Sequence, residues 1–274
     1  MTARTTARTT ARTTATTTHD GVSGVSYDSD AAAYIAAVET ADGEPLEDGV
    51  KTAINNLVVG YKEDGTWSDF GAHQLLCAAR TLDGALVPLI GTGPTNFNFV
   101  TGDYSRALGL RGNKTAKYLQ SNYLANATGV NDAHMSVYMT AEPTASSNLI
   151  GAYVISPAWF NYLYRVPSTT ATNFSINSSE QLGGAVIGAV NFLGVSKSTV
   201  GQFKYRYDGT EGTAIYANSS PAEMDISVFR RNRNTPDSYT DARIAIYTLG
   251  SAINLGLVRS RQVTFMAELG AALA

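Results

Sequence analysis

The sequence predicts a mainly β protein: an antiparallel jelly-roll sandwich with an N-terminal helical segment, an extended N-terminal arm and a C-terminal helix. Three observations carry that prediction. From about residue 81 to 250 the chain is a train of short runs in which apolar and polar residues alternate, the period of a strand with one buried face. Turn residues separate the runs and little helical spacing interrupts them, which favours an antiparallel sandwich or barrel over a parallel sheet. The run at 244–249 is apolar on both faces and is expected to be covered on both.

Composition narrows the function classes. Of 274 residues, 44% are hydrophobic, ample for a core. Only 16% are charged, against roughly 25% in an ordinary soluble protein, so the polar surface must come from Thr, Ser, Asn and Gly. A net charge of -3 gives no global field that would draw nucleic acid or a membrane. The single cysteine, Cys77, rules out an internal disulfide. No run of 18 apolar residues is present, so no membrane insertion is expected.

Three segments are expected: an arm over 1–20, a helical segment over 21–80, and a sandwich with a closing helix over 81–274. The arm repeats Thr-Ala-Arg-Thr, with Arg4, Arg8 and Arg12 at period four. A helix would stack these like charges one turn apart, and threonine resists helix through its stiff χ1. In an extended chain all three arginines share one face. Such a strand buries too little to order itself, so it reads either as an assembly anchor laid on a neighbouring subunit by strand addition or as a loose, disordered leader. It lacks the aromatics and lysines that a nucleic-acid arm would use.

In the next segment Asp30 is a plausible N-cap. Ala31, Tyr34, Ile35 and Val38 follow helical spacing, and Gly43 stops the run. A second helix begins near Pro45 and carries a stripe of Val50, Ala53, Ile54, Leu57, Val58 and Tyr61. Thr66 with Asp69 suggests a capping box for a third helix through Leu75 and Leu76. On that helix His73 and Cys77 would lie four apart, but no further ligand is near, so packing is the better reading than a metal pair.

Strands are expected over 85–90, with Pro88 pointing to an edge, and over 133–141, 149–155, 160–165, 185–190, 192–195, 203–207, 213–216, 224–228 and 244–249. Residues 108–120 look like a hairpin about Gly112-Asn113, and Asp208-Gly209 is a turn. A final helix over 253–269 carries Leu255, Val258, Phe265 and Leu269, interrupted by Gln262. Its stripe suits docking on the sandwich better than a trimer-forming coil, since sustained heptads are absent.

The order of these pieces resembles a known family. Leu110-Arg-Gly-Asn-Lys-Thr-Ala-Lys-Tyr-Leu119 precedes His134-Met-Ser-Val-Tyr-Met139. Asn191-Phe-Leu-Gly-Val-Ser196 and Phe203-Lys-Tyr-Arg-Tyr-Asp-Gly209 follow, and Asp241-Ala-Arg-Ile-Ala-Ile-Tyr-Thr-Leu-Gly-Ser251 closes the series before a helix. This resembles the concanavalin A-like (laminin-G-like) jelly-roll module of bacteriophage structural proteins, over about residues 30–270. The resemblance implies a two-sheet jelly roll, a place on the virion and often glycan recognition, and it transfers no catalytic residue. The expectation is therefore a non-enzymatic virion structural protein: tail fibre, tail tip or capsid decoration. Its partners would be other virion proteins reached through the arm, further copies of itself (a trimer in a fibre) and a host-surface glycan. A glycan-binding receptor-recognition module is the alternative, with a glycan hydrolase behind it.

The chemistry within the sequence is sparse. Glu223-Met-Asp225-Ile-Ser227 approximates the Glu-x-Asp-x-Glu strand of jelly-roll glucanases, but Ser227 stands where retaining hydrolysis needs an acid/base. His19, His73 and His134 are far apart, with His134 read as a surface residue. Asp237 and Asp241 are too few oxygens for calcium. No catalytic residue, metal ligand or cofactor is assigned. Fifteen tyrosines favour binding. Trp159, Tyr162 and Tyr164, with Tyr205 and Tyr207, are the carbohydrate-stacking candidates, although alternating aromatics more often belong to a core.

Overall fold

In the computed structural model the described residues are 26–169, 171–186, 188, 190–233 and 237–274. The arm, with Arg4, Arg8 and Arg12, lies outside them. The chain begins with helices α1 (Ser29–Asp42) and α2 (Asp48–Glu63), strand β1 (Phe70–Leu75) and the single turn α3 (Leu82–Ala85). Strands β2 (Thr95–Phe97), β3 (Tyr104–Ser105), β4 (Gly109–Arg111), β5 (Tyr118–Leu124), β6 (Ala133–Ala141), β7 (Ser147–Val154) and β8 (Trp159–Val166) follow. Then come β9 (Ala171–Ser178), β10 (Leu182–Val186), β11 (Phe192–Thr199), β12 (Gln202–Tyr207), β13 (Thr210–Ile215), β14 (Asp225–Val228), β15 (Arg243–Gly250) and helix α4 (Leu255–Ala272).

Among the described residues the strands form two antiparallel sheets. The larger runs β13-β12-β11-β6-β15-β4-β3, with β1 also paired to β15. The smaller runs β10-β9-β8-β7-β14-β5-β2. Met135, Val137, Met139, Leu149, Leu163, Phe174, Val195 and Phe203 fill the space between them. A second core lies on the other side of the larger sheet, where Tyr138, Phe192, Ala245 and Ile246 meet Tyr34, Ile54, Leu57, Phe265 and Leu269 of the helices. The molecule is thus three layers: helices, larger sheet, smaller sheet. This explains why β6 and β15 are buried along both faces.

The helices follow their stripes. In α1, Ala31, Tyr34, Ile35 and Val38 are buried and Gly43 caps the end with φ 72°. The N-cap is Asp28, not Asp30: its Oδ1 accepts from the Asp30 amide at 3.0 Å and from Lys62 at 2.6 Å. In α2 all six stripe residues are buried. Helix α4 docks on α2, where Gly60 leaves room for Arg261, which forks onto Asp64 at 2.8 Å twice.

Four further expectations are corrected. The third helix is absent: the Thr66 hydroxyl turns back to the Tyr61 carbonyl at 3.1 Å, and Phe70–Leu75 is instead a strand on β15. Pairing with a distant strand outweighs a weak local cap there. Residues 85–90 form no strand; Thr81 caps α3 by accepting from the Gly84 amide at 3.2 Å, and Ile90 alone bridges to His73. Residues 108–120 are no hairpin, because β4 lies in the larger sheet and β5 in the smaller. Asn113 turns the crossing, its Oδ1 accepting from the amides of Thr115, Ala116 and Lys117 at 3.0–3.1 Å. His134 is no surface residue: it is buried under the helical layer, Nδ1 2.5 Å from the Ser251 carbonyl and Nε2 3.1 Å from Thr248 Oγ1. Strand β9 lies in a Thr/Asn/Ser-rich stretch for which no strand was expected.

Lys197 of β11 is wholly buried, with Nζ on the Asn177 carbonyl at 2.7 Å. Burial drives its pKa down to about 8. The same carbonyl also receives the Ser219 amide at 3.1 Å, so removing the lysine orphans nothing. Lys197→Met should therefore leave stability at pH 7 unchanged or raise it by up to about 2 kcal/mol, since a desolvated charge is replaced by an apolar chain of similar length. Urea unfolding of the two proteins checks this; a clear loss would mean that the ammonium organises the site.

Candidate functional site

The helices cover the outer face of the larger sheet. The outer face of the smaller sheet carries no second layer among the described residues, but the arginines of the segment after β14 lie over it. Ser227 and Ser175 there are 0% exposed and Tyr162 is 5% exposed. Strand parity decides what this face shows. In β8, Trp159 and Leu163 point into the inter-sheet core, which sends Phe160, Tyr162 and Tyr164 outward. Pairing extends the outer rows across the strands: Thr95 opposite Gln120, Gln120 opposite Ser227, Ser227 opposite Gly151, Gly151 opposite Tyr162 and Tyr162 opposite Ser175. Gly151 is required in this row, because its φ is 148° and a Cβ there would lie 2.3 Å from Tyr162 Cβ and 2.4 Å from the Asn161 carbonyl oxygen.

Two aromatic–arginine groups stand on this face. In the first, Tyr153 stacks on Phe160 at 4.9 Å and meets Tyr162 edge-on at 6.5 Å. Arg231 lies over Tyr153 at 4.9 Å and over Tyr162 at 5.7 Å, and Arg233 lies over Tyr153 at 5.5 Å. Both arginines share one carboxylate, Asp237, with Arg231 at 3.0 Å and Arg233 at 2.8 Å. Burial pushes the Tyr162 phenol up to about 12 against the opposing pull of Arg231, so it remains protonated and donates to Gln181. In the second group, Tyr118 stacks on Phe97 at 4.3 Å and carries the Arg230 guanidinium 3.3 Å from its ring centre. Two planar groups that close cannot share one face of a ring, so Tyr118 is held between them. Tyr239 completes the group, 6.2 Å from Tyr118.

The groups lie on strands β5 and β8, three strand spacings or about 14 Å apart. Arg230, Arg231 and Arg233 against Asp237 give this segment a local charge of +2 (three cations less one anion) on a chain whose net charge is -3. Tyr118 is enclosed by Phe97 and Arg230, so the apolar surface this group offers a ligand is the outer face of Phe97, 37% exposed. Such a face beside ring edges and planar donors suits a ligand with apolar C–H faces and polar edges, the chemistry of a sugar.

The sequence candidates divide. Tyr162 and Tyr164 belong to this face, but Tyr162 is only 5% exposed, its ring lying under Arg231, so it supports the site rather than presenting a free stacking surface. Trp159 does not: it is 1% exposed in the inter-sheet core, its Nε1 donating to Asn177 Oδ1 at 3.3 Å. Tyr205 and Tyr207 also pack against that core, Tyr205 stacked on Phe174 at 5.0 Å. Glu223 is exposed ahead of β14, so it does not share a strand with Asp225. Asp237 is occupied by its arginines, and Asp241 accepts from Thr144 and pairs with Lys114 at 3.4 Å. His73 and Cys77 are buried, and no cluster of metal-ligating residues occurs among the described residues.

Phe97, Tyr118, Tyr153, Phe160, Tyr239 and the three arginines were missed. The sequence carried a signal for the last of these: Arg230-Arg231-Asn232-Arg233 is a concentrated basic run in a chain poor in charge.

No protein-family model matches the chain, and no curated protein matches it by sequence. Solved structures do resemble it. A sialidase of Trypanosoma rangeli, in complex with 2,3-difluorosialic acid, aligns at 11% identity and a TM-score of 0.45, over 79% of this chain and 39% of that one. Domain 4 of an extracellular arabinanase from Geobacillus stearothermophilus, in complex with arabinotriose, aligns at 14% and 0.40, over 70% of this chain and 98% of the domain. The binding domain of botulinum neurotoxin serotype D aligns at 9% and 0.48, over 73% of this chain and 52% of that one. The chain thus spans less than two thirds of the sialidase and toxin chains. At these identities and TM-scores nothing about ligand or activity passes from them to this protein.

Proposed function

We propose that this protein is a lectin-like recognition module that binds a glycan on the outer face of its smaller sheet. The observation that carries the reading is the pair of aromatic–arginine groups, Tyr153–Phe160–Tyr162 and Phe97–Tyr118, on a sheet face over which no helix or further sheet lies among the described residues. The wider setting rests on the sequence resemblance alone: a non-enzymatic structural component of a phage virion, in tail fibre, tail tip or capsid decoration. There it would assemble with further copies of itself and attach to other virion proteins through Arg4, Arg8 and Arg12.

A glycan array probed with the full chain tests the binding. A bound glycan should lose affinity by about tenfold or more in Tyr153→Ala and in Phe160→Ala, the scale of one lost stacking contact, with thermal unfolding recorded to confirm that both variants fold. An array without a bound glycan, or binding that neither variant weakens, would overturn the reading. Antibody-gold labelling of purified particles tests the setting separately: label on head, fibre or tail tip supports it, and particles without label remove it.

A further inference from the structure

We infer that the ligand of this face carries a carboxylate, and that Arg230 is the residue that binds it. The inference rests on the glycan-binding reading and narrows it to an acidic sugar.

Arg230 is only 6% exposed. A cation so deeply buried ordinarily has an anionic partner, because desolvating an unpaired charge is expensive. Most of the other covered arginines obey this: Arg165 has Glu142, Arg106 has Glu47, Arg261 has Asp64, and Arg231 and Arg233 have Asp237. Arg243 is the exception, but it is less buried than Arg230 and its Nη1 makes a short bond to the Gly109 carbonyl at 2.7 Å. Arg230 makes no ion pair with a described residue. Its hydrogen bonds are long and go to uncharged groups, Nε to Ser227 Oγ at 3.3 Å and Nη1 to Tyr239 Oη at 3.4 Å.

The stacking on Tyr118 offsets part of the desolvation. It also fixes the guanidinium plane and occupies its flat face. What remains available is the edge, where the in-plane N–H donors sit, and Nη2 makes no hydrogen bond to a described residue. That fork matches the two oxygens of a carboxylate. A neutral hydroxyl could accept one of these bonds but would leave the charge uncompensated. The local excess of two positive charges acts in the same direction, because it attracts an anion to this face of an acidic chain.

A purely structural role makes a different prediction. If Arg230 merely clamps Tyr118 to Tyr239, ligand charge is irrelevant. The test is therefore a titration of the unmodified full chain with oligogalacturonate, with its methyl ester and with oligosialate, by calorimetry. At least one of the two acids should bind. If oligogalacturonate is the one that binds, esterification should weaken it by about tenfold or more, the worth of a charge-assisted pair. If oligosialate binds instead, its carboxyl-reduced form should be weakened likewise. Arg230→Met and Arg230→Lys should each lose the same factor, the lysine failing because a point charge cannot present the fork.

Equal binding of a charged glycan and its neutral form would overturn the carboxylate while leaving glycan recognition standing. Acid-dependent binding that survives in Arg230→Met would overturn the assignment of the residue. Failure of every glycan, acidic or neutral, would bring down the glycan reading and this inference together. The comparison of acid and neutral forms uses the unmodified protein, so it decides the main point even if Arg230→Met fails to fold.

Discussion

Lowering the pH from 7.5 to 4.5 should destabilise the fold by about 5 kcal/mol through two buried histidines, a large part of a typical domain's stability. His73 and His134 lie between the larger sheet and α2. His73 Nε2 is 3.2 Å from Tyr61 Oη, and Phe70 packs edge-on against both imidazoles at 5.0 and 5.7 Å. Burial, with a smaller push from His134, holds His73 at about 3. Burial also holds His134 at about 4, against opposing pulls from the Ser251 carbonyl and Asp132. In the unfolded chain both would titrate near 6.5. Above that pH neither state is protonated and nothing is lost. Below it the unfolded chain takes up protons that the folded chain refuses, so stability falls by about 1.4 kcal/mol per pH unit for each histidine until the folded pKa is reached.

Carboxylates do not produce this limb. Glu47, held at about 2 mainly by its bond to Arg106, contributes stability that is lost only as the pH falls below about 4.5. Asp69, raised by burial and by Asp132, works in the opposite sense. Guanidinium unfolding at pH 7.5, 6.5, 5.5 and 4.5 measures the slope. His73→Gln and His134→Gln should each remove about half of it. A flat profile, or a slope unchanged in the double variant, would show that protons reach these imidazoles without loosening the helical layer.

Arg165→Met should cost about 3–5 kcal/mol, the scale for stripping one partner from a buried ion pair. The guanidinium ties four pieces of chain together. It forks onto Glu142 at 2.7 and 3.0 Å and also holds the carbonyls of Ala171 at 3.1 Å and Gly188 at 2.7 Å. Without it Glu142 keeps the Val190 amide at 3.0 Å but loses its counter-charge. For a chain of this size the melting temperature should fall on the order of 10 °C. Glu142→Leu added to Arg165→Met should recover much of the loss, because the pair is then removed whole. A single variant that melts within a degree or two of the parent would mean that water reaching Glu142 replaces the arginine.

Periodic segments were legible in the sequence. The stripe of Val50, Ala53, Ile54, Leu57, Val58 and Tyr61 needs one helix and one apolar neighbour, and it forms as the spacing says. The alternation over Ala133–Ala141 gives β6 to the residue. These features are local, so propensity and period suffice for them. Phe70–Leu75 shows where local reading fails: its strand exists because β15 offers an edge 170 or more residues away, and nothing in the neighbourhood of Thr66 reports that edge. The proposed anchoring by residues 1–20, the proposed virion setting and any assembly would likewise depend on partners outside this chain.

The aromatic candidates mark the boundary most clearly. The sequence alone separates Trp159 from Phe160, Tyr162 and Tyr164, and it puts Phe203, Tyr205 and Tyr207 together, because parity along a strand is a property of the chain. It cannot say which parity meets the core. In β8 the even positions face outward and supply the candidate site, whereas in β12 the three aromatics turn inward onto the opposite sheet. That choice is made only when the two sheets stack and the helices cover one of them. Arg230 shows the same division: its charge is written in the sequence, and its burial against Tyr118, with no anion beside it among the described residues, arises only in the assembled sheet.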